Sequence, residues 1–351
     1  MNSKTRVREA FSFGRPDRVP LDYSANPGID RRLKEHFGLG AGDHEGLLRA
    51  LGVDFRSAAP RYVGPPLVPS KPDRVINEWG AHMRWVEHEA GGYWDYCDWP
   101  LADATLREVE AWPLPSPDDF GYEEALDQAR AHRDYYVMIG HPGVGDVVNS
   151  TGMVRTMEQV LVDMATGAPE SEAFYGRKCR IELEVTERML DRGKGLIDML
   201  WIGEDLGTQI GPLMSVDLYR ERIRPYHEQF VDLAKSYGVP VMIHSCGSSS
   251  WAFDDFLEIG ISAVDTLQPE AAAMAPAYLK ERWGGRLCFH GMISTAGVVA
   301  YGTVDDVRKD VRETLSIMKP VGGYACAPTH ALQDNSPVAN VLALYDEAQK
   351  M

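Results

Sequence analysis

Residues 239–267 read VPVMIHSCGSSSWAFDDFLEIGISAVDTL. Two apolar runs, 239–245 and 261–267, bracket a stretch with a helical pattern. Neither run alternates cleanly between apolar and polar, as expected of strands buried on both faces. The same alternation continues outward. Apolar runs recur at 286–291 (RLCFHG) and 322–327 (GGYACA), and upstream at 196–203 (LIDMLWIG), 135–140 (YYVMIG) and 18–23 (RVPLDY). The segments between them carry helix signals. Ser215 is placed to cap a helix running to about Tyr237, with Asp217 in its first turn and Pro225 predicting a kink. Thr303 is placed to cap a helix whose Val307, Val311, Leu315 and Met318 share one face. Ser336-Pro337 opens a terminal helix. Strand followed by helix through the whole second half means βαβ units and a parallel sheet. Residues 57–120, rich in Pro, Trp and Gly, read as a loop excursion. The expectation is α/β: a (β/α)8 TIM barrel forming one domain over 1–351, with an elaborated early loop region.

Composition narrows the function. Of 351 residues, 44% are hydrophobic and 25% charged, as in a folded soluble domain. The 36 Lys and Arg against 52 Asp and Glu leave a formal charge of −16, which repels phosphate backbones and argues against nucleic acid as partner. No apolar run is long enough to span a bilayer, and the first residues, MNSKTRVREAFSFG, lack a signal-peptide pattern. A cytoplasmic protein with no membrane partner is expected. Five Cys, an odd count without regular spacing, fit core residues or functional thiols better than disulfides.

In a barrel the chemistry sits where strands end. There the sequence places Asn26, His141, Glu204-Asp205, His244-Ser245-Cys246, Asp265, Gln268, His290, Cys326 and His330. His244 and Cys246 are two apart, so in extended chain both side chains point one way. A thiol from a second strand, Cys326, would complete a soft three-ligand site suited to Zn²⁺. The spacing alone leaves open that both cysteines are buried core residues. Glu204 or Asp205 is a candidate fourth ligand or base, or alternatively a helix-entry carboxylate. Residues 93–99 (YWDYCDW) read either as a flat pocket wall or as packed loop core, and packing is the commoner outcome. Gly143-Val144-Gly145 lacks the third Gly of a dinucleotide fingerprint.

Several segments together resemble the uroporphyrinogen decarboxylase superfamily: HSCG at 244–247, CFHGMIS at 288–294, GEDLGTQIGPLMS at 203–215 and GGYACAPTHALQDNSPVANVLALYDEA at 322–348. The resemblance covers most of the chain, is strongest from about residue 200 onward, and implies the same barrel. True uroporphyrinogen decarboxylases carry an N-terminal Arg-rich clamp for substrate carboxylates. Here the equivalent place reads DYSANPGIDRRL, with only Arg31 and Arg32 nearby.

The pattern is more similar to the corrinoid-linked zinc methyltransferase branch, which includes the methylcobalamin:coenzyme M enzymes. That resemblance implies Zn²⁺ held by His244, Cys246 and Cys326, with Glu204 as a displaceable fourth ligand. It also implies a corrinoid (cobalamin) methyl carrier, free or on a partner protein, and a thiol or methoxylated small molecule as the other methyl partner. Asp205, His290 and His330 are the candidate catalytic residues, and Asn26, Gln209 and His141 the candidate substrate-binding ones. Two alternatives stand beside it. One is a metal-free decarboxylase acting on a smaller acid, with Asp205 and His330 moving protons. The other is a non-catalytic corrinoid- or tetrapyrrole-binding module.

Overall fold

In the computed structural model, which describes residues 1–89 and 91–351, seven short strands make one parallel sheet. They are β1 (Phe55–Ser57), β5 (Tyr136–Gly140), β6 (Met199–Gly203), β7 (Val241–His244), β8 (Ala263–Thr266), β9 (Cys288–Ile293) and β10 (Tyr324–Pro328), adjacent in that order. The intervening β2 (Val75–Ile76), β3 (His82–His88) and β4 (Gly91–Cys97) form a separate antiparallel sheet. Residues 57–120, expected as a loop excursion, carry this sheet of their own and the short helix Leu106–Glu110.

Side-chain alternation shows how the parallel sheet curls. Phe55, Met138, Met199, Met242, Ala263, Cys288 and Ala325, one from each strand, meet in a single inner cluster. Their strand neighbours Ile139, Leu200, Val241, Val264, Phe289 and Cys326 lie in the outer core beneath the helices. Both faces are apolar, which is why the strands read as unbroken apolar runs. The helix Ser3–Phe11 stops the N-terminal end of the curl, adding Val7 and Phe11 to the inner cluster.

The sheet edges, β1 and β10, both bind residues 20–22. Cys326 N–H donates to the Pro20 carbonyl, Asp22 N–H to the Cys326 carbonyl, and Asp54 N–H to the Leu21 carbonyl. The run 18–23 was expected as a full strand. Here it contributes an isolated parallel bridge, Leu21 to Cys326, since Pro20 brings no N–H to a ladder. The three-residue β1 was too short to show a period in the sequence.

The helix expected over 215–237 is two. Val216–Arg222 is capped by Ser215, whose hydroxyl accepts from Leu218 N–H, and Arg224–Ser236 follows with Pro225 in its first turn. Thr303 and Asp306 form a reciprocal capping box on Val304–Met318. The terminal helix, Val338–Lys350, has Pro337 as its capping residue rather than Ser336. All five cysteines are free. Among the described residues no helix is long and apolar enough to cross a membrane.

Candidate metal centre

β7 ends on His244, and its side chain follows Met242 onto the inner face. Cys246 lies just beyond, in a turn that needs glycine next. Gly247 has φ +69°, and a Cβ there would run into the Gly207 carbonyl of the neighbouring loop. His330 arrives on the loop after β10. His244, Cys246 and His330 each offer a ligand atom, and all three atoms lie within 4.8 Å of one another. The Cys246 sulfur is 3.3 Å from His244 Nε2.

Behind this cluster runs a chain of alternating carboxylates and imidazoles. His244 Nδ1 donates to Asp265 Oδ2 at 2.8 Å, and Thr266 Oγ1 sits 2.7 Å from the same nitrogen. His290 Nδ1 meets Asp265 Oδ1 at 2.6 Å, and its Nε2 meets Asp22 Oδ2 at 3.0 Å. Burial opposes a charge on His290, but Asp265 and Asp22 outweigh it and raise its pKa to about 10. Burial likewise opposes ionisation of Asp265, yet the two imidazoles hold it below the usual carboxylate range. His244 is held well above its ordinary value, Asp265 and the Cys246 sulfur overcoming burial. Burial pushes the Cys246 thiol up, more than His244 pulls it down.

The backbone at the end of β8 is strained to make these contacts. Thr266 has φ +86° and Leu267 φ +38°, unusual for a β-branched and a bulky residue.

Asp205 faces the cluster from the loop after β6. Its Oδ1 accepts the Cys246 N–H at 2.7 Å and lies 3.8 Å from His244 Nε2, while Asn149 Nδ2 donates to Oδ2 at 2.9 Å. The sequence alone did not single out Asn149.

Two expected ligands are elsewhere. Cys326 points outward into the helix-covered core with no exposed surface, and burial lifts its thiol to about 12. The inner positions of that strand belong to Ala325 and, on the cavity wall, Ala327. Glu204 also faces away. Its carboxylate accepts the N–H groups of Val147 (2.8 Å) and Val148 (3.1 Å) at the start of the helix Val148–Arg155, and burial and the neighbouring Asp146 raise its pKa well above normal. It is the helix-entry carboxylate that the sequence left as the alternative.

The expected substrate-binding residues scatter. Asn26 donates to Gln333 Oε1 (3.2 Å) and Gln209 to Gln268 Oε1 (3.4 Å), and neither lines a cavity at the site. His141 does line one. Residues 93–99 are packed only in part: Cys97 is buried and Tyr96 packs on a small core, while Tyr93 and Trp94 lie on β4 with 45% and 47% of their surface exposed.

A cavity of about 290 Å³ occupies the mouth, walled by Phe55, Met138, Trp201, His244, His290 and His330. A larger one of about 900 Å³ lies beside it, bounded by the excursion, by β5 and by the helix Pro169–Arg192. His44, Leu48, Arg56 and Ser57 line both.

The donor set fits a borderline-soft divalent ion. Two imidazoles and a thiol are common zinc ligands, and the tetrahedral N···S separation around zinc is about 3.6 Å, close to the gap between His244 and Cys246. The carboxylate behind His244 is the usual support for a metal-bound imidazole.

Residues 153–351 match the family described as uroporphyrinogen decarboxylase (URO-D). Among solved structures, the chain is similar to a methyltransferase from Methanosarcina mazei, with 16% identity and a TM-score of 0.68 over 100% of this chain and 99% of that one. A D-psicose 3-epimerase is far more distant, at 13% identity and TM-score 0.35 over 70% of this chain and 85% of that one. No curated protein matches the sequence. At such identity the likeness to the methyltransferase is one of fold.

Proposed function

The chain belongs to the uroporphyrinogen decarboxylase family, and we propose that within it the protein is a zinc-dependent methyltransferase. It would move a methyl group between a corrinoid and a thiol or methoxylated small molecule. The observation that carries the reading is the convergence of His244, Cys246 and His330 on one point, with Asp265 fixing the His244 ring. The name of the Methanosarcina mazei neighbour supports it. The architecture we propose is a barrel closed by residues 20–22 in the eighth position.

His244 through Nε2, Cys246 and His330 would hold the ion and leave a position for substrate. Zinc bound there would deprotonate a coordinating thiol, or polarise a methoxy oxygen. The remaining work falls to the chain itself. Asp265 orients His244 so that Nε2 faces the sulfur. His290, charged between Asp22 and Asp265, keeps Asp265 an acceptor. Asp205 fixes the backbone of Cys246.

The metal-free decarboxylase reading meets a difficulty in the mouth. Arg56, its one arginine among the described residues, is already bound twice by Glu45 and by the carbonyls of Val53 and Phe55. Substrate carboxylates find no free guanidinium there.

Metal analysis of the chain purified without chelator should find about one zinc per molecule, lost in Cys246→Ser. In Asp265→Asn, zinc affinity should fall by about ten- to a hundred-fold. Metal-free protein that still transfers methyl would end this reading.

A further inference from the structure

The mouth cavity is small, and it does not stand alone. Its wall residues Leu48, Arg56 and Ser57 also line the adjacent cavity of about 900 Å³, a size that holds a multi-ring small molecule. Apolar and aromatic side chains make up about half of the wall of that second compartment, and polar ones the rest. Trp79 and Ile76 come from the excursion, Ile139 from β5, and Val185 and Met189 from the helix Pro169–Arg192.

Its charges cancel. Arg56 is neutralised by Glu45, and Glu182 by Lys178 Nζ at 2.6 Å. The other two charged residues on the wall, Arg61 and Glu78, are not paired with each other, but being of opposite sign they leave the wall without net formal charge. A charged ligand gains no net attraction there, and an uncharged one gives up little hydration on entering.

We propose that this compartment binds the non-reacting body of the methylated substrate, and that the body is an uncharged ring compound whose methyl end reaches the mouth. The inference rests on the methyltransferase reading for the identity of the reacting group. The binding compartment itself does not depend on zinc.

The test uses 7-methoxycoumarin, an uncharged fluorescent ring ether, with the full chain. Its fluorescence anisotropy should rise on binding. Val185→Trp, which fills the compartment from its helical wall, should weaken binding by at least about ten-fold with zinc content unchanged. The anionic analogue 7-methoxycoumarin-4-acetic acid should bind wild type at least about ten-fold more weakly than the neutral probe. Should Val185→Trp fail to fold, Ile76→Trp blocks the opposite wall with the same expected loss.

The proposal is overturned if the neutral probe does not bind, if the blocking variants bind it as wild type does, or if the acid binds equally well. Unchanged probe binding in Cys246→Ser supports the compartment as a site of its own. The metal reading stands or falls separately, on zinc content.

Discussion

At the scale of single residues, the candidate metal centre turns on Cys326 and His330, four positions apart in one strand–loop segment. Cys326 is in register with Tyr324 on the outer side of β10, so its sulfur belongs to the core. His330 lies past the end of the strand, where the period of two no longer applies and the loop turns its ring to 5.9 Å from that of His244. If the proposed zinc binds there, Cys326→Ala should therefore keep it while His330→Ala loses most of it, and metal analysis of the two variants tests this.

The pair also shows what the sequence could tell. His244 and Cys246 were legible because two-residue spacing at a strand end has one geometric meaning. The third donor was not, since a strand run written as GGYACA does not say which of its faces is inside. Asp265 stood out as a strand-end carboxylate, but its two imidazole partners come from other strands and only the fold joins them.

His290 supplies the pH dependence at this scale. Its folded pKa of about 10 lies above its ordinary 6.5, so the stabilisation it brings is complete below pH 6.5 and is lost as pH rises through 10. His290→Ala leaves Asp22 and Asp265 without their shared cation and should cost about 3–5 kcal/mol at pH 6. Urea unfolding at pH 6 and at pH 10 should show the gap between wild type and variant narrowing at the higher value.

Among the elements, the helix Val304–Met318 was the most readable. Its capping box and its apolar face at Val307, Val311, Leu315 and Met318 are all local in sequence, and each is buried as the pattern requires. The hairpin of β3 and β4 was the least readable. Trp85 and Trp94 pair across it at 5.5 Å between rings, while both stay largely exposed, and a run of aromatics alone does not distinguish that from packed core.

The same helix carries a cost at Asp310. Burial, with Glu270 and Glu313 close by, raises its pKa to about 6, and Oδ2 has no hydrogen-bond partner. The folded state thus holds a proton that the unfolded chain releases above its ordinary 3.8. This penalty is absent at pH 3, grows as pH rises from 3.8 and levels off above about 6. Asp310→Asn should stabilise the protein at pH 7 by about 1–2 kcal/mol, after allowing for solvent screening of a part-exposed group. The gain should vanish near pH 3, and thermal melts across that range would reveal it.

For the molecule as a whole, what matters is how the first and last strands are joined. Asp54, fully buried, binds Arg6 at 2.6 Å, Arg18 at 2.7 Å and the Leu21 N–H at 3.0 Å. It ties residues 20–22 to the edge of β1. Asp54→Ala takes the only carboxylate from Arg18 among the described residues and leaves Arg6 with Asp17 alone, and should cost about 3 kcal/mol. Hydrogen exchange should quicken first at the amides of Asp22 and Cys326, which bridge the same junction. If those amides keep their protection, the junction does not depend on this carboxylate.

At the opposite end from the metal centre, the helix Ser3–Phe11 fills the curl. Val7 packs among the inner side chains, and the Cys288 thiol bonds to the Phe11 carbonyl at 3.3 Å. Among the described residues, side chains thus occupy the axis of the curl at this end, and the cavity at the strand ends has no passage through it. Under the proposed function, substrate and product would then share the side of the sheet on which the strands end.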